Sequence, residues 1–497
     1  MRARDLETVS DVLFWSTLAL VAATTAWTIW RTRGKLSLAV LLPLAWIALI
    51  PIPVILRPIT KSEVFVDGFV GSARDSMYVA IAIANVAFAA YQVFLWSPWY
   101  RRLERFAVRV MAPAGIREHT SGDRLAQRWL LGLTIVATAI AAVHLALMPR
   151  IPVFDLLTGF TNPLQPNYDR ELSLKLLQVP SIVRYIFQWD KQAVFPILFA
   201  AAILMRSRKL TVFIGVFGFF YAVSSLEKFP SLIFIAAPFI AVAVRDRRPL
   251  WAPIVIGGVA LGFLGPLAVN QGPLISTSVH QALNIPPAAS SVPASYDPNA
   301  AATAGCTTSS SEVLRFDASQ LLASLANITL RRTGAVPAEV TYGWFAYFPA
   351  QHPYLKGSGW EPWKVLSSGY RNPSNLVGLW MYCGHTVTLP SVSAYASAIA
   401  DGWGEFGMLG VLIACIAVVL AGVVFELLGA FRGNPLVLSS YAVTLLLFST
   451  LPPRASVLAS VFSSGMWLIP VICLLVVLSE RIRGQRERVL AFEPAPS

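Results

Sequence analysis

Residues 406–425 read FGMLGVLIACIAVVLAGVVF, twenty residues without a single charge, with Glu405 just before them and Glu426 just after. A stretch of about 20 apolar residues is long enough to cross the hydrocarbon of a bilayer as a helix. Similar charge-free windows recur along the 497-residue chain, near 12–30, 36–56, 77–97, 129–148, 192–205, 210–226, 229–244, 250–270, 434–452 and 456–479. The windows at 192–205 and 229–244 are short, and Pro230 and Pro238 interrupt the second. Composition points the same way: 56% of residues are hydrophobic and only 13% charged, against a usual charged share of about 25%. The expected fold class is an all-α polytopic membrane protein with about 11 transmembrane helices and one large extracytoplasmic loop.

The formal net charge of +13 comes from 39 basic and 26 acidic residues. Many of the cations gather in alternate connections, among them Arg31, Arg33 and Lys35, the arginines from Arg101 to Arg128, Arg206 with Arg208 and Lys209, and Arg245 with Arg247 and Arg248. Arg432 and the group Arg481, Arg483, Arg486 and Arg488 continue the alternation. Basic loops stay in the cytoplasm, so the excess charge is explained without nucleic acid. This places the C-terminus in the cytoplasm, in a bacterial inner membrane. The acidic Asp5, Glu7 and Asp11 outweigh Arg2 and Arg4, so Val12–Trp30 reads as a retained span and not as a signal peptide. The expected organisation is an N-terminal bundle of about eight spans at 1–270, the large loop at 271–401, about three spans at 402–480 and a cytoplasmic tail at 481–497.

Function classes narrow by absence. No GxxxxGK[ST] phosphate loop and no DxD pair occurs, and the four cysteines include no CxxC. No cofactor and no metal is therefore expected. The charge-free windows also lack the mid-membrane carboxylates and lysines of ion-coupled transporters. The polar residues that remain fall mostly on the outer side. Arg57, Arg170, Lys228, Arg331, Arg332 and Arg371 would suit a phosphate-bearing substrate, because a guanidinium makes two charge-assisted bonds to one phosphate. Glu227 and Lys228 sit in a tight outward hairpin, Ser224–Pro230, where Lys228 would face a headgroup site and the alternative is charges snorkelling at a helix end. Asp401 and Glu405, four apart on one helix face, are candidate general bases, and His352 is another. Each also has an ordinary reading, as a water-boundary carboxylate or a structural histidine. The dense aromatics from Trp344 to Trp380 read as an interfacial belt or as sugar-stacking platforms. Leu321, Leu322, Leu325 and Ile328 share helical spacing, as for a helix lying flat at the membrane surface or a buried helix of the loop's own small core. Cys306 and Cys383 would face the oxidising side and are candidates for a disulfide.

The segments Leu330-Arg331-Arg332, Phe348-Pro349-Ala350-Gln351-His352-Pro353-Tyr354-Leu355-Lys356-Gly357, Asn372-Pro373 and Ala400-Asp401-Gly402-Trp403-Gly404-Glu405-Phe406-Gly407-Met408-Leu409-Gly410 resemble the bacterial O-antigen or oligosaccharide repeat-unit polymerase family. The hairpin with Lys228 resembles the small-plus-basic turn that those proteins carry between two central spans. The Ala/Ser/Pro-rich stretch before Glu312 departs from that pattern. The resemblance implies a membrane glycosyltransferase that joins oligosaccharide repeat units carried on undecaprenyl pyrophosphate at the outer leaflet. It implies a chain-length regulator and a flippase as companions. Arg332 would stabilise the leaving pyrophosphate, with Arg331, Lys228 and Arg170 beside it, and Asp401, Glu405 or His352 would take the acceptor's proton. A ligase that delivers the glycan to another acceptor is the nearer alternative, and a flippase or exporter the more distant one.

Overall fold

The computed structural model describes residues 3–57, 69–111, 121–154, 169–170, 172–173, 177–246, 336–359, 372–383, 394, 397–431, 433–452 and 455–492. Among them the protein is helical, with no β-strand. The N-terminal helices are α1 (Ala3–Thr32), α2 (Leu38–Leu49), α3 (Pro51–Leu56), α4 (Gly71–Trp96), α5 (Pro98–Met111) and α6 (Ser121–Leu147). Next come α7 (Ser181–Trp189), a π turn (Asp190–Val194), α8 (Phe195–Leu204), α9 (Arg208–Ser224) and α10 (Lys228–Arg245). The C-terminal helices are α11 (Val336–Tyr347), α12 (Pro373–Cys383), α13 (Ala398–Phe406), α14 (Met408–Leu428), α15 (Pro435–Thr450) and α16 (Leu468–Phe492).

Five helical segments are long and apolar enough to cross a membrane: Val9–Thr32, Leu38–Leu56, Gly71–Trp96, Leu125–Leu147 and Met408–Phe431. Four of them carry well-exposed apolar side chains, Trp15, Val93, Ile135 and Leu420, as lipid-facing surfaces do. Where helices meet, polar side chains bond across them. Trp46 Nε1 donates to Asn85 Oδ1 at 2.8 Å, and Gln92 Nε2 donates to the Ala39 carbonyl at 3.0 Å. Such bonds fix register where the hydrophobic effect between helices is weak.

Several windows take a different form from a simple span. Window 36–56 divides at Ile50, because Pro51 and Pro53 restart the chain as α3. Window 229–244 stays one helix across Pro238, and Pro230 falls in its first turn, where no intrahelical amide is needed. Window 192–205 is the second half of a helix that runs on from residue 181 through the π turn. Window 456–479 is broken at Gly465 (φ 75°), whose missing Cβ lets Trp189 pack against it. Window 250–270, the segment 316–330 and Cys306 lie outside the described residues, as does the side chain of Cys383.

Two ends of the bundle can be told apart by their contacts. At one end α14 finishes, where Glu426 accepts the Leu38 amide at 2.8 Å and the Tyr441 hydroxyl at 3.0 Å. At the other, α14 begins, the Ala398 amide bonds the Pro452 carbonyl at 2.8 Å, and the Tyr342 hydroxyl donates to the Val70 carbonyl at 3.1 Å. The candidate site occupies this second end.

Candidate functional site

The segment 398–410 builds the core of the site. α13 turns sharply into α14 at Gly407 (φ 62°), a conformation that costs an L side chain energy. A Cβ there would also press on the Tyr354 ring at 3.1 Å. Gly402 and Gly410 touch backbone to backbone across the turn, so a Cβ on either would strike the other's carbonyl. The glycines of this segment therefore serve close packing.

The loop 348–359 folds back over α13. The Leu355 and Lys356 amides bond the carbonyls of Gly404 and Glu405 at 3.0 and 2.9 Å, and Trp403 Nε1 donates to the Phe348 carbonyl at 2.8 Å. Glu405 lies beneath this loop, 1% exposed, and its Oε2 accepts the Gly357 amide at 2.7 Å. Burial pushes the Glu405 carboxyl up to about 7, while the amides of Gly357 and Gly359 restrain the rise. A carboxyl in that range changes its protonation near neutral pH.

The other candidate residues divide into those placed in the fold and those outside the described residues. Asp401, in the first turn of the same helix, is half-buried, so the two carboxylates on one face have different environments. His352 is partly exposed, with Nδ1 2.6 Å from the Pro353 carbonyl and its ring stacked on Tyr347 at 5.9 Å. Arg57 holds its guanidinium over the Phe69 ring at 4.8 Å, and Phe69 stacks on Tyr342 at 4.5 Å, which ties α3 and α4 to α11. Arg331, Arg332 and Arg371 lie outside the described residues, and so does the side chain of Lys228, which opens α10. Arg170 is half-buried, and its carbonyl accepts the Ser173 hydroxyl at 2.8 Å. Within the aromatic run, Trp344, Phe345, Tyr347 and Phe348 are buried in the core, so these four form neither a belt nor a platform; Tyr354 and Trp380 are half-buried, and Trp360, Trp363 and Tyr370 lie outside the described residues.

A second polar cluster joins the hairpin singled out in the sequence to Asp190 and Lys191, which are not singled out there. Lys191, 1% exposed in the π turn, donates to Ser225 Oγ at 2.7 Å, stands 3.6 Å from Glu227 Oε2 and lies over the Tyr221 ring at 5.2 Å. Glu227 thus turns inward to an ion pair where snorkelling was one expectation. The Tyr221 hydroxyl meets His144 Nδ1 at 2.9 Å, and His144 Nε2 meets the Ser173 carbonyl at 3.0 Å. Asp190 is buried at 2% exposure, and neither carboxylate oxygen accepts a hydrogen bond among the described residues. The neighbouring Trp189 Nε1 donates to the Phe462 carbonyl at 2.6 Å, between α15 and α16, so this cluster sits at the same end of the bundle as Glu405. The signal in the sequence is Asp190-Lys191 itself, placed just beyond the edge of a charge-free window. A π turn inside an α-helix is a frequent mark of function.

Among the described residues no group of three or more His, Cys, Asp or Glu is arranged to hold a metal. The buried Cys415 and Cys473 are free thiols. Comparison with known protein families, with curated proteins and with solved structures finds no match.

Proposed function

We propose that this chain polymerises oligosaccharide repeat units carried on undecaprenyl pyrophosphate at the outer leaflet of a bacterial inner membrane. In this reading about eleven spans carry the large loop 271–401 on the outer side, with the C-terminus in the cytoplasm. The observation that carries it is the pair of carboxylates at one end of the bundle. Glu405 is buried and shifted to about 7, and Asp401 stands half-buried one turn away.

A sugar hydroxyl of the incoming unit attacks the anomeric carbon of the donor glycan, forming the new glycosidic bond as the bond to pyrophosphate breaks. Asp401, the more accessible carboxylate, takes the hydroxyl proton. Glu405 is a positioning residue that pins the 354–359 loop on α13 through Gly357. His352 stands in the same loop as the alternative proton acceptor. The leaving polyprenyl pyrophosphate gains negative charge, which Arg332 is assigned to stabilise, with Arg331, Lys228, Arg170, Arg57 and Arg371 supplying further cationic surface.

Deletion of the gene followed by gel analysis of surface polysaccharide tests this. Single repeats on the final acceptor, with no polymer, support it. Full-length polymer stranded on its lipid carrier would instead indicate a ligase, and unchanged polysaccharide would sink the proposal. In full-abundance protein, Asp401→Asn should lower polymer yield about a hundredfold or more, the scale of a lost general base.

A further inference from the structure

The helix α5, Pro98–Met111, follows the candidate span α4 after one residue, Ser97, at the end of the bundle opposite Glu405. Its sequence is PWYRRLERFAVRVM, and at 100° per residue its side chains divide into three faces. Tyr100 is buried and packs at 6.1 Å on Phe94 of α4, so one face is held by the protein. Trp99, Leu103 and Phe106, within about 60° of one another, are 70%, 38% and 64% exposed. Arg101, Arg102, Arg105 and Arg109 fill the third face and are all exposed. Glu104 is the one acid on the helix, and it is turned towards the protein side.

An exposed tryptophan and phenylalanine beside four arginines are unsuited to water alone. They match the headgroup layer, where rings enter the acyl boundary and guanidinium groups meet phosphates. The depth is fixed covalently, because α5 begins where the α4 span ends. Arg102 lies over the Trp99 ring at 5.4 Å, so ring and cation occupy the same level. We propose that α5 lies flat in the membrane interface and binds anionic phospholipid headgroups through Arg101, Arg102, Arg105 and Arg109, with Trp99, Leu103 and Phe106 inserted. This surface is independent of the proposed glycan chemistry.

The test uses the full chain in nanodiscs. A Phe106→Cys variant carrying an environment-sensitive fluorophore should emit as a membrane-inserted probe and be quenched by lipids spin-labelled near the headgroup. Water-like emission without quenching would overturn the insertion. For selectivity, the full chain in detergent is equilibrated with mixed micelles of phosphatidylglycerol and phosphatidylcholine, and the retained lipid is measured. Wild type should keep phosphatidylglycerol in excess. Arg101→Gln with Arg105→Gln and Arg109→Gln should cut that excess about tenfold, since each surface cation attracts anionic lipid. The corresponding Lys variants should preserve it and serve as the control for folding. The excess should also fall as salt rises. Equal retention by the Gln variant, or full displacement of lipid by millimolar inorganic phosphate, would overturn the proposal. An acidic protein partner in place of lipid would be indicated if α5 were protected only in cell membranes and never in nanodiscs, which also overturns it.

Discussion

Glu405 and Lys191 are both buried ionisable groups at the same end of the bundle, and the protein accommodates them by opposite means. Glu405 has no cation beside it among the described residues. It is held by backbone amides of a glycine-bearing loop and meets the cost of burial by keeping its proton up to about 7. Lys191 has a counter-ion, Glu227, and a hydroxyl acceptor, Ser225, supplied by the tight turn between α9 and α10. The first arrangement keeps the neutral form at little cost and ionises only near pH 7, which suits a loop whose state depends on pH. The second depends on all its members, because removing one leaves another buried charge unmatched.

The largest effect is therefore expected at the ion pair. Lys191→Met should destabilise the protein by about 3–5 kcal/mol, read as lost thermal stability in detergent, because Glu227 and Ser225 lose their partner. Adding Glu227→Gln should recover part of the loss, as coupled neighbours are not additive. If Lys191→Met unfolds at the wild-type temperature, the cation does not hold the hairpin and the contrast with Glu405 disappears.

A smaller, pH-dependent effect belongs to Glu405. Its carboxyl is raised from 4.5 to about 7 in the fold, so between those values the folded protein keeps a proton that the unfolded chain has released. Stability should fall as pH rises from about 4.5 to about 7 and level off above it, by about 3 kcal/mol in all. Glu405→Gln should remove this slope while keeping an acceptor for the Gly357 amide. An unchanged slope in the variant would move the titration to another group.

How far each region was legible follows from what each kind of signal records. A charge-free window records burial in lipid, and α4 and α14 are close to where their windows lie. It does not record where a neighbour interrupts it, as Trp189 does at Gly465, or where a helix continues past a charge, as the run from 181 to 204 does. The 401–410 glycines are readable as a motif, and their close packing agrees with a need for small residues. The bond from Gly357 to Glu405 joins residues 48 apart, and the bond from Lys191 to Ser225 joins residues 34 apart, so no local pattern announces either. Burial of Trp344 to Phe348 is hidden for the same reason, since an aromatic run looks alike whether it meets lipid, sugar or α13.

The smallest effect should separate Asp190 from its neighbour Lys191. Asp190 is buried, yet its oxygens accept no hydrogen bond among the described residues, so its side chain contributes little that an amide would lose. Neutralising it also removes the desolvation cost of a buried carboxylate. Asp190→Asn is therefore expected to change stability by no more than about 1 kcal/mol, with the unfolding temperature held or raised. A loss as large as that of Lys191→Met would show that Asp190 shares the positive charge with Glu227. The cluster would then be a three-member network, and the π turn that presents both residues would be its structural reason.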